Sequence, residues 1–182
     1  MLELNFTPFP ELSTERLLLR RITVKDIPEL FFLRSDPGVL QFLSKEPAKN
    51  IQEIIDFLSI IDRNIDNNES ILWGIAVKGD ISKIIGTICY WNITKESYRS
   101  EIGYALIPAW WRKGIMKEAI TKVLEYGFNT MGLHSVEARL SPANAGSSAV
   151  LESTGFVKEG YFKEDFFYAG KFEDTLVYSR LQ

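Results

Sequence analysis

Apolar residues in this chain recur with two different spacings, and the switches between them mark out its elements. Thr14-Glu15-Arg16-Leu17-Leu18-Leu19-Arg20 is an apolar run flanked by charge and reads as a first strand. Asp26 is placed to cap a short helix through Leu30 and Leu33, with Pro28 tolerated in its first turn. Behind Asn50, a good N-cap, Ile51, Ile54, Ile55, Leu58 and Ile61 recur at helical spacing until Asn67-Asn68 ends the helix. The period then changes. Ile71 to Val77 and Ile84 to Trp91 are β-rich runs joined by the hairpin signal Lys78-Gly79-Asp80, and Glu101 to Ile107 is a further strand stopped by Pro108.

From Ile115 onward Ala119, Ile120, Val123, Leu124 and Phe128 mark one face of a helix of about four turns. Ser135 to Leu140 returns to strand, and Asn144 to Thr154 is a short helix closed by Gly155, which suits the left-handed position after a helix end. Phe156 to Phe167 and Thr175 to Tyr178 finish the chain as strands. The order β-α-α-β-β-β-α-β-α-β-β predicts an α+β fold, a mixed sheet with helices on both faces.

Composition narrows the class. The 182 residues suit one domain spanning 1–182, with no internal repeat or linker. Hydrophobic residues at 46% and charged residues at 25% fit a globular protein and are too apolar for disorder. The net charge of −3 points neither to nucleic acid nor to an anionic membrane. No apolar run approaches the ~20 residues that span a bilayer, and the first residues lack a signal-peptide pattern. The expectation is a soluble cytoplasmic protein. Cys89 has no partner for an internal disulfide and lies in an apolar run, so it reads as a core residue. His134 is the only histidine, which removes any His-based metal cluster, and no metal is expected.

The informative junction is Pro108-Ala109-Trp110-Trp111-Arg112-Lys113-Gly114, between a strand and a long amphipathic helix. The first N–H groups of a helix lack internal partners, and its dipole favours anions there. Gly114 allows close backbone approach. Arg112 and Lys113 oppose the dipole unless an anion sits among them, a mismatch that a phosphate or pyrophosphate repairs. Taken alone, the same turn also reads as a solvated basic surface loop. It is neither a P-loop nor a dinucleotide fingerprint.

The context decides. Glu101-Ile102-Gly103-Tyr104-Ala105-Leu106-Ile107-Pro108-Ala109-Trp110-Trp111-Arg112-Lys113-Gly114, with Lys117-Glu118-Ala119, resembles the cofactor motif of the GNAT acetyltransferase superfamily. Asn144-Ala145-Gly146-Ser147-Ser148-Ala149-Val150-Leu151-Glu152-Ser153-Thr154-Gly155-Phe156 resembles its second motif. Thr14 to Arg20 with Asp26 resembles the opening of the ribosomal-protein N-acetyltransferase (RimJ/RimL-type) branch. The resemblance implies a GNAT fold: a mixed, mostly antiparallel twisted sheet that splays between the Glu101 and Ser135 strands, with acetyl-CoA in the gap. Pantetheine is then expected along the backbone near Leu106, and pyrophosphate over Trp111, Arg112, Lys113, Gly114, Ile115 and Met116. Asn144 and Ser147 match positions that touch the pantetheine arm in relatives. Two departures stand out. In the turn, Trp111 stands where many relatives carry Arg or Gln, and Met116 occupies a position usually small and is expected to narrow the space above the phosphates. Leu151 replaces the tyrosine that many members use as general acid, which leaves that role vacant or moved.

Acetyl transfer needs a neutral amine and a stabilised leaving thiolate. An α-amine is roughly 10–20% neutral at pH 7, a lysine only about 0.04%, so the acceptor sets how much base is required. Glu101 is the candidate base, directly or through water; the alternative is a strand-edge carboxylate paired with Arg99. Ser147 is the candidate donor to the sulfur; the alternative is a first-turn hydroxyl on backbone or pantetheine. Trp91, Tyr104, Trp110 and Trp111 read as core and pocket wall, and Phe162, Phe166, Phe167 and Tyr168 as acceptor-cleft lining or sheet packing. The expected reaction is transfer of an acetyl group from acetyl-CoA to a primary amine, first of all a protein or peptide N-terminus, by a monomer or homodimer. A small amine such as a polyamine, amino sugar or antibiotic is the competing acceptor. A CoA-binding regulatory module without turnover is the competing class.

Overall fold

The structure, a computed structural model, describes residues 1–182. Eight strands form one sheet: β1 (Leu12–Ser13), β2 (Leu17–Arg21), β3 (Ile71–Val77), β4 (Asp80–Thr94), β5 (Arg99–Leu106), β6 (Ser135–Leu140), β7 (Val157–Tyr168) and β8 (Lys171–Leu181). Their spatial order is β1-β2-β3-β4-β5-β6-β8-β7. Every neighbouring pair is antiparallel except β5 and β6, which run parallel. Five α-helices complete the fold: α1 (Ile27–Ser35), α2 (Pro37–Leu40), α3 (Ile51–Asp66), α4 (Ile115–Tyr126) and α5 (Ala145–Ser153). The expected α+β architecture is present, with two small additions that the sequence pattern did not reveal, β1 and α2. Both are too short for periodicity to register.

Helices cover both faces, because successive strand residues point to opposite sides and both sides are apolar. On one face α1, α2 and part of α3 pack through Leu30, Leu33, Val39, Ile54 and Leu58 onto Leu72 and Ile84. On the other, Ala119, Ile120, Val123 and Leu124 of α4 meet Trp73, Ile75, Ile88 and Tyr90. Tyr90 fixes α4 at its far end: its hydroxyl donates to the Val123 carbonyl at 3.0 Å. Gly127 makes room for that hydroxyl, since a Cβ there would lie 2.5 Å from it. No helix is long and apolar enough to cross a membrane.

The start of α1 departs from the expected cap. Asp26 occupies the N-cap position but makes no capping bond there. Its carboxylate instead completes a capping box with Thr23 around the preceding 3-10 turn, Val24–Asp26, and takes a two-pronged grip from Arg20 at 2.7 and 2.8 Å. Asp26 is fully buried. Burial pushes its carboxyl up, and the hydrogen bonds from Arg20 and Thr23 outweigh that and hold it below the ordinary carboxylate value. Asn50 does cap α3, accepting from the Glu53 N–H, and Asn67 closes it. Gly155, with φ +86°, ends the α5 region as expected.

Candidate active site

The sheet divides at one rung. β5 and β6 are joined only over Arg99–Glu101 against Ser135–Glu137, so Ile102 to Leu106 have no partner on that side. β6 meanwhile keeps pairing with β8 as far as Leu140 opposite Leu176. Strand alternation sends Ile102, Tyr104 and Leu106 to the α4 face and Glu101 and Ala105 to the α1 face. Side chains of both faces of β5 therefore border the gap.

One end of the gap is the turn into α4. A 3-10 turn at Pro108–Trp110 leads to Arg112 at φ +59° and Gly114 at φ +74°, both left-handed. The backbone N–H groups of Gly114, Ile115 and Met116 have no carbonyl partner in the chain, the usual condition of a helix start. Arg16 braces the turn from the N-terminal strand: Nη1 donates to the Lys113 carbonyl at 3.0 Å, and Nε pairs with Glu118 Oε2 at 2.7 Å. Arg112 and Lys113 are exposed. Trp111 lies across the turn, its indole N–H donating to the Leu106 carbonyl at 2.8 Å, so that acceptor is already engaged. Met116 corrects the sequence reading. Its side chain is 9% exposed within the main core, so only its backbone N–H faces the turn and it does not narrow the space there. Ile115 is buried in the same way.

On the α1 face, Glu101 lies in a cleft of about 360 Å³ whose other walls are Asn92, Thr94, Arg99, Ser100, Glu137 and Arg139. Burial raises the Glu101 carboxyl above its ordinary value, against a hydrogen bond from Asn92 Nδ2 at 3.1 Å and the charges of Arg139, Lys45 and Arg99. Arg99 does not pair with Glu101; it pairs with Glu137, which Arg139 also approaches at 3.7 Å. Arg139 then reaches Asp165 of the β7–β8 hairpin at 3.0 Å. Ser44, next to Lys45, donates to Glu173 of the same hairpin at 2.6 Å. Loop and hairpin thus meet: Lys45 of the loop acts on Glu101 by its charge, and Asp165 of the hairpin pairs with Arg139 of the cleft wall. Phe162, Phe166 and Phe167 stand out on that hairpin 46–59% exposed, so they do not pack the sheet core.

On the α4 face, Asn144 caps α5 by accepting from the Ser147 N–H at 3.0 Å. The Ser147 hydroxyl meets the Tyr104 hydroxyl at 2.6 Å. Tyr104 read as pocket wall in the sequence, because 43 residues separate it from Ser147 and no local spacing links them. Burial pushes its phenol up to about 12, against the lowering effect of the Ser147 hydrogen bond. Leu151 is fully buried in the main core, one turn further along α5 and away from any opening. Cys89 sits beside Gly103 on the α1 face, and burial pushes its thiol up to about 11, so it stays protonated and inert. His134 is exposed just before β6.

A sheet split after a parallel rung, with a left-handed glycine turn opening a helix beside the split, defines an acyl-carrier site of the acetyltransferase kind. The comparisons agree. The family model for the acetyltransferase (GNAT) domain matches residues 16–157. The N-acetyltransferase YoaA of Bacillus subtilis (strain 168) is 35% identical over 171 residues, 94% of this chain and 96% of that protein. The crystal structure of ribosomal-protein-S5-alanine acetyltransferase from Vibrio fischeri superposes with a TM-score of 0.80 at 27% identity, covering 94% of this chain and 96% of that one. Spermidine N(1)-acetyltransferase of Vibrio cholerae is 23% identical over 88% of this chain and 90% of its own length. The chain belongs to the GNAT acetyltransferase family. It is an acetyl-CoA-dependent N-acetyltransferase.

Proposed function

We propose that the acceptor is the α-amine of a peptide or protein N-terminus. One observation carries this reading: the cleft carboxylate Glu101 is surrounded by the cations Arg139, Lys45 and Arg99. The other carboxylate on that rung, Glu137, is already held by arginines. A polyamine carries several positive charges and needs several unpaired carboxylates along its length, whereas this cleft offers only Glu101 outside an ion pair. A peptide N-terminus brings one amine followed by carbonyl groups, and those accept hydrogen bonds from arginine and lysine. An α-amine is also neutral often enough to need only one modest base. The Vibrio fischeri relative acts on a ribosomal-protein alanine, in keeping with this acceptor class.

Acetyl-CoA supplies an acetyl group activated as a thioester. The N–H groups of Gly114, Ile115 and Met116, with Arg112 and Lys113, would hold its pyrophosphate at the positive end of α4. The unpaired edge of β5 near Leu106 would align the pantetheine arm as an added strand does, beside Trp111 and the Asn144 cap. The chemistry of the residues fits this group: donors and cations at one end, an open backbone edge in the middle, two hydroxyls at the other. Glu101 takes the amine proton as the N–C bond forms. Ser147 would donate a hydrogen bond to the sulfur, which leaves as a thiolate with the electron pair of the broken C–S bond while the serine keeps its proton.

The test is thiol release from acetyl-CoA with a panel of free N-terminal peptides, the same peptides blocked at the N-terminus but containing lysine, spermidine and an aminoglycoside. Turnover is expected with the free N-termini alone. Faster release with spermidine or the aminoglycoside overturns the peptide assignment.

A further inference from the structure

Two hydroxyls that share one short hydrogen bond have only one proton left to offer. Tyr104 and Ser147 are such a pair, 2.6 Å apart, and neither hydroxyl has another hydrogen-bond partner in the chain. We infer that Tyr104 is a positioning residue for the acetyl-transfer step: its hydroxyl donates to Ser147 and thereby commits the Ser147 proton to the sulfur of the leaving thiol.

The direction of the bond follows from acidity. A phenol is a far stronger donor than an aliphatic alcohol, and an alcohol oxygen is the better acceptor. The favoured arrangement is Tyr104 O–H to Ser147 Oγ, which leaves the Ser147 proton as the free end of the chain. A chain of two hydrogen bonds in a site of low polarity polarises its last donor, so Ser147 donates more strongly than an isolated serine. Position supports the same assignment. Ser147 stands in the first turn of α5, held by the Asn144 cap, and Tyr104 projects from the part of β5 that has no β6 partner. The pair lies on the α4 face of the gap, opposite the face that carries Glu101.

Tyr104 itself keeps its proton. A phenol pushed up to about 12 does not yield it to a thiolate whose conjugate thiol lies near 8.5. The pair therefore stabilises the thiolate by hydrogen bonding, and the sulfur is protonated from solvent after release. The amine proton goes to Glu101, so charge and atoms balance without a tyrosine anion. The phenol comes from β5, and the position at which the family's tyrosine is absent, Leu151, lies buried in the core.

The inference rests on the reading of Ser147 as the sulfur's donor, and a double-mutant cycle separates the two. Ser147→Ala should lower kcat by about 100-fold, the scale for losing one donor to developing charge. Tyr104→Phe should lower kcat by about 5- to 10-fold, one neutral hydrogen bond, with KM for acetyl-CoA little changed. The double variant should be no slower than Ser147→Ala alone, because Tyr104 acts only through Ser147. Replacing Tyr104 by a ring-fluorinated tyrosine, a more acidic phenol of nearly the same shape, should raise kcat above that of Tyr104→Phe and to at least the wild-type value. A slow Ser147→Ala with a wild-type Tyr104→Phe overturns the role of Tyr104 alone. Independent, multiplying losses in the double variant do the same. A wild-type Ser147→Ala overturns both readings. Should Tyr104→Phe unfold, the fluorinated protein still decides: a kcat below wild type overturns the inference.

Discussion

Glu101 and Glu137 face each other on the last rung that joins β5 to β6, yet their surroundings separate them. Glu137 is gripped by Arg99 and approached by Arg139, while Glu101 is half-buried with only Asn92 to hydrogen-bond it. One carboxylate is a structural anion; the other has a raised proton affinity suited to a base.

The pH dependence follows from the direction of that shift. As the proposed base, Glu101 must be ionised to accept a proton, and burial raises its value. The acidic limb of kcat/KM should therefore lie above the ordinary Glu value of about 4.3. Glu101→Gln should remove that limb and lower kcat by about 10²–10⁴-fold, with little change in affinity for acetyl-CoA. The stability effect has the opposite sense to a salt bridge. A raised carboxyl contributes stability below its unfolded value and loses it as pH rises through the folded value, so Glu101→Gln should melt no lower than wild type at neutral pH.

Asp26 behaves in the reverse way. Its folded value is depressed, so its contribution is present above the unfolded value and lost as pH falls through the folded one. Asp26→Ala leaves Arg20, only 13% exposed, without its partner. The expected cost in chemical denaturation at neutral pH is about 3–5 kcal/mol, shrinking as the pH approaches the acid range.

Gly114 tests the phosphate turn. A Cβ there would meet only Arg16 Nη2 at an ordinary 3.5 Å, so space is no obstacle, and the strain comes from φ +74°. Gly114→Ala should cost about 1–2 kcal/mol in stability. It should also raise KM for acetyl-CoA while leaving KM for the amine unchanged in steady-state kinetics.

Leu151→Tyr asks whether the side chain common elsewhere in the family can be restored. Leu151 is fully buried, so the larger ring overfills a packed core at a cost of about 1–3 kcal/mol. The expected result is a lower melting temperature with no gain in kcat.

Much of the fold was legible because its signals are local. The spacing of Ile54 and Leu58, the Asn50 cap, and the Ser135–Leu140 strand each depend on residues within a turn or two. Asp26 was misread because the competition for its carboxylate came from Arg20 on β2, and a buried guanidinium outcompetes a backbone cap. Met116 was misread because its place in the turn is a backbone property, while its side chain follows the buried face of α4.

The sequence by itself determined the order of elements, the glycine-and-cation turn before α4, and the family to which the chain belongs. Those follow from periodicity and from motifs that are contiguous in the chain. Only the tertiary structure decided which side chains meet across the gap: Asn92 with Glu101, Arg99 with Glu137, Tyr104 with Ser147. These partners come from different strands and a helix, and their proton affinities depend on burial, a property of the packed molecule that no residue carries alone.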